Sequence, residues 1–556
     1  MVSTRNFLRL LVVVSAVTFS DCLSSEKELE IDSLVRDVFM AESAIPGVGV
    51  TIIENFGEKT FSKGYGYSDI DRNITADENT KFCIASITKT FTATLAMKVL
   101  SETFPELGPA VLDTPLRILH PNGTFMFSDR FRYESMSFRD LLSHRAAVQT
   151  ESFGSSAGAF KDIDEFTFRS RYAPEVASFR AGGFYSNTLL ALAGTLIAEI
   201  AEQPYEALLQ DFFDQLEMND SILIDEQTNY DQVVNMSRGY FLEYGVVRQL
   251  NSSLINRVFV GAPAGGIITT ANDMAKYMNF HLNNGRVGDR QIVSQEALLW
   301  MRQPAAPIDF MQFRSVNSSM VAGSYAMGSG VQLGVFDGWE FVSHTGQWVT
   351  FQSELRIYPR LGFATFSVNN GPIHLSNRRY DHLFLQNSIF AIVNGLSSSV
   401  KIDPTNQHLG QRLRDVTLET LEKYLAGRKL PLQNINQESY VGNFGHPVEG
   451  DMEITLRNET LYFSFGIWAS GYLNQHPTYP VYYVIWDSDF VQDIYFAAGG
   501  LVDIFFSFES ENTFSVIFEQ VTTFQRGLSL DTLPLIPWEP QSCAPGQVEE
   551  EEEEND

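Results

Sequence analysis

Residues 81–100 read KFCIASITKTFTATLAMKVL. The stretch is either an ordinary amphipathic helix with a polar start or the seat of a serine nucleophile with its lysine one turn away. Phe91, Leu95, Ala96, Val99 and Leu100 recur at three- and four-residue steps, which predicts a helix beginning close to Ser86. Ser86 and Lys89 then occupy neighbouring positions on one helical face. A lysine able to give up its proton can activate the serine or steady its alkoxide. S-x-x-K also arises by chance in many helices, so the reading depends on what else the chain carries.

Two further stretches supply that company. GGFYSN, residues 182–187, precedes an apolar helix and puts Tyr185 and Asn187 either side of one residue. That is the local arrangement of two side chains facing a cleft from a turn. A phenol moves protons to and from a serine oxygen if a cationic lysine depresses its pKa, and the Asn187 amide can hold Lys89 and a substrate carbonyl. Read alone, Tyr185 is equally a packed loop aromatic. The third stretch is HTG, residues 344–346, at the end of a predicted strand and followed by Gln347. His344 is expected to donate toward the active-site hydroxyls, and Gly346 to allow substrate close to the strand edge. The backbone N–H groups of Ser86 and Gln347 are expected to form an oxyanion hole.

Around these stretches the pattern predicts an α/β domain. GVGVTIIENFG and KTFSKGYGYSD read as an antiparallel hairpin. SFRDLLSHRAAV, NTLLALAGTLIAEIAEQ, YEALLQDFFDQL and TTANDMAKYMNFHLNNG carry helical periodicity, the last capped by Thr270 or Asn272. From residue 337 the pattern turns to strands, GWEFVSHTG, WVTFQSELRIYP and GFATFSVNNG, and a helix HLFLQNSIFAIVNGL closes the region. Early and late strands then share one antiparallel sheet with helices packed against it. Residues 396–435 read as a linker that turns helical. Residues 436–530 are short, aromatic-rich strands uninterrupted by a helix, and predict a small all-β domain, a barrel-like meander or a sandwich.

The 556-residue chain is long enough for two or three units. Residues 1–22, with Arg5 and Arg9 before an apolar run from Leu10 to Phe19, read as a secretory signal. No later run suits a membrane span. Seven N-x-[ST] sites, at Asn73, Asn122, Asn219, Asn235, Asn251, Asn317 and Asn458, fit an extracellular location. Three cysteines make no disulfide scaffold, and nothing near Cys83 lowers its pKa. The charge of −29, from 39 basic and 68 acidic residues, argues against nucleic acid. Residues 531–556 form a tail ending in EEEEEEND, a self-repelling run whose hard oxygens suit calcium or a calcium mineral without forming a cage. Neither H-E-x-x-H nor paired-cysteine spacing occurs, so no metal and no cofactor is expected.

Taken together, Ser86 with Lys89, Tyr185 with Asn187, and His344 before Thr-Gly resemble the serine β-lactamase-related hydrolases, the branch holding class C β-lactamases, D,D-peptidases and esterase relatives. KGYGYSD and PAGGIITTANDMAKYM (263–278) are similar to that family's surroundings. The resemblance covers residues 30–395. It implies a β-lactamase-like fold in which Ser86 is acylated, Lys89 is its partner, Tyr185 is the general base and the substrate is a small ester, amide or acyl-peptide. Nothing resembles the deacylating glutamate of class A enzymes, so a slow enzyme or acyl-trapping binder is also compatible. LLSHRAAV (141–148) departs from the family's leucine-leucine-threonine-histidine-threonine-serine-glycine. Losing that glycine implies a different backbone path if the position had positive φ, and a shifted substrate preference.

The whole chain also resembles the gigasin group of bivalve shell-matrix proteins. That resemblance implies residence in a calcified extracellular matrix, either as a hydrolase or as a catalytically silent structural or polymer-binding protein.

Overall fold

The computed structural model describes residues 23–536 except 42–43, 124, 149–153, 155–156, 226, 244–245, 308–313, 318–319, 349, 373–381, 397–417, 427–435, 468, 488–503 and 518–520. The signal segment, the glutamate run, most of the linker and the strand expected at DIYFAAGG lie outside the described residues.

The apolar run Gly47–Glu54 forms a strand buried on both faces, as an uninterrupted hydrophobic stretch requires. It pairs antiparallel with Lys59–Asp69, the expected hairpin, and on its other edge with Phe363–Asn369 from the far end of the domain. The ten-stranded sheet continues through Phe351–Tyr358, Trp339–Trp348, Gln332–Phe336 and Met320–Met327. Val48, Val50 and Ile52 face one side, packing with Ile31, Val35 and Phe39 of the N-terminal helices and Leu385, Ile389 and Phe390 of the helix His382–Val393. The alternate positions face the helical region: Ile53 joins its core, and Thr51 donates its hydroxyl to the Ala271 carbonyl at 2.7 Å. The sheet is therefore covered on both sides, with early and late strands adjacent as the pattern predicted.

Helices Asn187–Ala201, Tyr205–Leu216 and Ala271–Leu282 form where the periodicity placed them. Thr270, rather than Asn272, caps the last by accepting the Asp273 N–H. SFRDLLSHRAAV is helical only over Phe138–Leu142, where Ser137 and Asp140 form a capping box. The chain then leaves the helix through residues with positive φ, His144 (60°) and Ala147 (55°).

The C-terminal unit is a closed barrel of eight antiparallel strands, from Gly442–His446 to Val521–Arg526. The strand pattern missed Gly442–His446, Ala469–Gln475 and Val521–Arg526, whose glycine and polar residues blur the alternation. Phenylalanines 444, 463, 465, 506, 508, 514 and 524 fill the interior. Residues 418–425 of the linker are helical, and Leu421 packs beside Val481, Phe505 and Ile517. The barrel meets the first domain through its first hairpin. Arg169, buried, donates to Glu165, to Asp451 at 3.1 Å and to the His446 carbonyl at 3.2 Å. Glu449 accepts the Gly154 N–H at 2.8 Å.

Four histidines are buried and a fifth, His446, is half-buried, and all five are held neutral: burial pushes His281, His344 and His382 down to about 3, His446 to about 4, and His144 well below its ordinary value. Below pH about 6.5 the unfolded chain takes up protons that the folded chain refuses. Stability therefore falls as pH drops from about 6.5 toward 4, by up to about 1.4 kcal/mol per pH unit for each histidine. Denaturant midpoints measured at pH 7, 6, 5 and 4 should fall progressively; a flat profile would contradict this account.

Candidate active site

Ser86 sits on a single 3₁₀ turn, Ala85–Ile87, that runs directly into the helix Thr88–Thr103. The turn is anchored from two directions. Phe82–Cys83 pairs with Ile267–Thr269, and Thr88 Oγ accepts the Ile267 N–H at 3.0 Å. Ala85, just before the serine, has φ +48°, a left-handed conformation that costs a non-glycine residue about 1–3 kcal/mol. The helix is not amphipathic: it is buried along most of its length, and Thr90, Thr92 and Thr94 donate their hydroxyls to carbonyls, Thr90 also accepting from the Tyr277 hydroxyl. Ser86 itself is partly accessible. Cys83 is wholly buried and its thiol is pushed up, away from the reactive thiolate.

Lys89 has no exposed surface. Its Nζ donates to Ser86 Oγ at 2.9 Å, to Asn187 Oδ1 at 2.7 Å and to the Ala264 carbonyl at 2.7 Å. An ammonium has three donors, and these three acceptors match them. Asn187 is delivered by the first turn of its own helix, which Ser186 caps by accepting the Leu189 N–H. Tyr185, exposed toward solvent, brings its hydroxyl to Ser86 Oγ at 2.8 Å, and Lys89 Nζ lies 4.9 Å from its ring centre. Four of the residues singled out from sequence, Ser86, Lys89, Tyr185 and Asn187, are thus joined in one hydrogen-bonded cluster. The Ala264 carbonyl belongs to it as well. Sequence reasoning noted PAGGIITT only as a similar flank, since a backbone acceptor has no side-chain signature.

His344 is nearby but directed differently from the expectation. Its Nδ1 is 2.6 Å from the Thr345 carbonyl, which only accepts, so the proton sits on Nδ1. Its Nε2 is buried without a partner among the described residues, and its ring centre is 6.3 Å from that of Tyr185. The imidazole donates to backbone and not to an active-site hydroxyl, because its strand position buries the ring beneath Tyr185. Gly346 also serves a different purpose from the one expected. A Cβ there would meet the Ile84 carbonyl at 2.1 Å and Ser353 Oγ at 2.3 Å, so the close approach is that of the serine turn itself. Ser353 Oγ donates to the same Ile84 carbonyl at 2.9 Å. Gln347 follows with an exposed side chain, beside the strand position that abuts the Ser86 turn.

The loop 141–148 takes a left-handed backbone with no glycine in it: Ala147 adopts φ +55°. Arg145 ion-pairs with the buried Asp140 at 2.5 Å, and Arg180 joins the same carboxylate at 2.7 Å. Both arginines hold the Asp140 carboxyl below the usual range despite its burial. Arg145 therefore fastens the loop. Gly346→Ala is expected to lower stability by about 1–3 kcal/mol through overpacking and to displace Ser86. Thermal unfolding and serine-probe labelling should both fall. A variant that labels at the wild-type rate would show that the turn does not depend on this contact.

Comparison with known proteins places the first domain in a family and the chain in a fold. The family model described as Beta-lactamase matches residues 32–387. Protein flp of Staphylococcus aureus (strain MW2) is 26% identical over 266 residues, 47% of this chain and 50% of the relative. The chain spans about half the length of the curated relatives of this kind. Among solved structures, the octameric penicillin-binding protein homologue from Pyrococcus abyssi is similar in fold at TM-score 0.54 and 18% identity, covering 90% of this chain and 100% of that one. The D-amino acid amidase from Ochrobactrum anthropi SV3, complexed with L-phenylalanine amide, superposes at TM-score 0.52 and 24% identity over 67% of this chain and 99% of that one. With a match over most of its first domain, this chain belongs to the beta-lactamase family.

Proposed function

We propose that the protein is an exported serine hydrolase acting on a small ester, amide or acyl-peptide through an acyl-enzyme on Ser86. The observation that carries this reading is the convergence of Lys89 Nζ and the Tyr185 hydroxyl on Ser86 Oγ, at 2.9 and 2.8 Å. A serine that only caps a helix has no use for a wholly buried lysine, whose desolvation costs several kcal/mol and must be offset by its partners. With Lys89 donating to Asn187 and Ala264, its remaining N–H steadies the Ser86 oxygen as an alkoxide. Tyr185 is then the group that relays the proton: as Ser86 Oγ attacks the carbonyl carbon it gives its hydroxyl proton to the phenolic oxygen, while the phenol gives its own proton to the leaving amine or alkoxide, whose bond to that carbon breaks. The N–H groups of Ser86 and Gln347 receive the oxyanion. Water then attacks the acyl carbon, its proton returning through Tyr185 and leaving Ser86 free. The fold likeness to an amidase supports an amide among the substrates to be tried.

Export is part of the same proposal. The asparagines of six of the seven N-x-[ST] sites, all but Asn317, are described with exposed side chains. A fluorophosphonate should give one adduct by intact mass, absent in Ser86→Ala, about 100-fold slower in Lys89→Ala and about tenfold slower in Tyr185→Phe. Absence of an adduct from folded wild-type protein would overturn the hydrolase reading.

The charge of −29 favours a second role, retention in a calcified extracellular matrix, as the gigasin resemblance implies. Adsorption to calcium carbonate should then drop when residues 549–556 are removed, and fall further with added salt. Equal adsorption with and without the tail would reject the tail as the anchor.

A further inference from the structure

We infer that His144 is a positioning residue that fixes Tyr185 against Ser86; the functional consequence rests on the hydrolase reading above. His144 engages the chain on both sides of that tyrosine. Its carbonyl accepts the Phe184 N–H at 2.7 Å, and its Nδ1 accepts the Ser186 N–H at 3.1 Å. The ring lies 4.6 Å from the Tyr185 ring, tilted by 35°. One residue thus clamps the backbone before and after Tyr185 and covers one face of its ring. Two softer restraints complete the setting, the His344 ring 6.3 Å away and the Lys89 ammonium 4.9 Å from the ring centre.

The clamp works only for one form of the imidazole. An amide N–H donates, so Nδ1 must be bare and the proton must reside on Nε2. Burial, and then the charge of Lys89 and the nearness of His344, keep the ring neutral. His344 has the opposite tautomer, with its proton on Nδ1 facing the Thr345 carbonyl. Two uncharged imidazoles therefore flank a phenol that has to exchange a proton with Ser86, and neither adds a positive charge beside Lys89. His144 itself adopts φ +60°. A non-glycine residue holds that conformation only where its surroundings over-determine it, and such strain gathers at functional sites. The loop is pinned accordingly: Arg180 N donates to the Arg145 carbonyl, Val176 N donates to the Ala147 carbonyl, and Asp140 binds both arginines.

Two variants separate the clamp from simple loop support. His144→Asn keeps an acceptor for the Ser186 N–H and tolerates the left-handed backbone. His144→Phe keeps the ring and loses the acceptor. Fluorophosphonate labelling of Ser86 should fall about tenfold in His144→Phe, the effect of one lost buried hydrogen bond, and return to within about threefold of wild type in His144→Asn. In a Tyr185→Phe background, His144→Phe should add little, because its effect passes through the tyrosine. Losses that multiply in the double variant, or a folded His144→Phe that labels at the wild-type rate, would overturn the inference.

A readout independent of chemistry accompanies these assays. In protein labelled with 3-fluorotyrosine, the Tyr185 resonance, assigned by its loss in Tyr185→Phe, should be shifted from the solvent-averaged value. It should collapse toward that value in His144→Phe and be restored in His144→Asn. An unlabelled wild type would sink the hydrolase reading alone; a fluorine resonance unmoved by His144→Phe would sink the clamp alone.

Discussion

A lysine with no solvent contact is the constraint around which the first domain is arranged. Burying an ammonium is expensive unless all its donors find acceptors in good geometry. Lys89 finds them on three separate pieces of chain: the serine turn one helical turn before it, the start of the helix at Asn187, and the Ala264 carbonyl. The second and third partners lie 98 and 175 residues away in sequence. Each brings an element with it. Asn187 heads the buried helix Asn187–Ala201, and Ala264 leads into the strand Ile267–Thr269 that anchors the serine turn. The cost of one buried charge is offset only when the domain is assembled, which couples the reactive centre to the fold.

The same economy of contacts appears where two interior strands of the sheet meet the serine turn. Gly346 lets the strand Trp339–Trp348 lie against the Ile84 carbonyl, and Ser353 on the next strand donates to that carbonyl. The serine turn is thereby wedged between the helical region and the sheet, with Ala85 held in a left-handed conformation it would not adopt alone. Tyr185 reaches the cluster differently, on a loop rather than a regular element. Its precision comes from the pairing of residues 176–186 with residues 144–147 and from the arginine pair on Asp140. The barrel presses its first hairpin onto Gly154 and Arg169, within the stretch that connects those two loop segments.

Much of this was legible in the residues. Helical periodicity located the helices at Asn187, Tyr205 and Ala271, because a 3.6-residue repeat survives wherever one face differs from the other, and the apolar steps at Phe91, Leu95 and Val99 located the one at Thr88 although it is buried nearly all round. GVGVTIIENFG and KTFSKGYGYSD announced the antiparallel hairpin that opens the sheet. Ser86, Lys89, Tyr185 and Asn187 could be named because their side chains carry the chemistry and their spacings put them on shared faces. The sequence by itself therefore determined the α/β class, the separate β unit and four side chains of the cluster.

Tertiary structure decided the rest, for reasons that local patterns cannot encode. Which carbonyl receives a lysine proton is a matter of packing, so Ala264 was invisible. Imidazole tautomers follow from partners: Ser186 sets one on His144 and Thr345 the other on His344. A glycine reads as freedom in sequence, yet at Gly346 it is needed for a contact with Ile84, more than two hundred residues earlier in the chain. Ala147 shows the converse, since a left-handed backbone forms without the glycine that would make it easy. Spacing can nominate reactive side chains, but only long-range steric and hydrogen-bond closure fixes where their protons point.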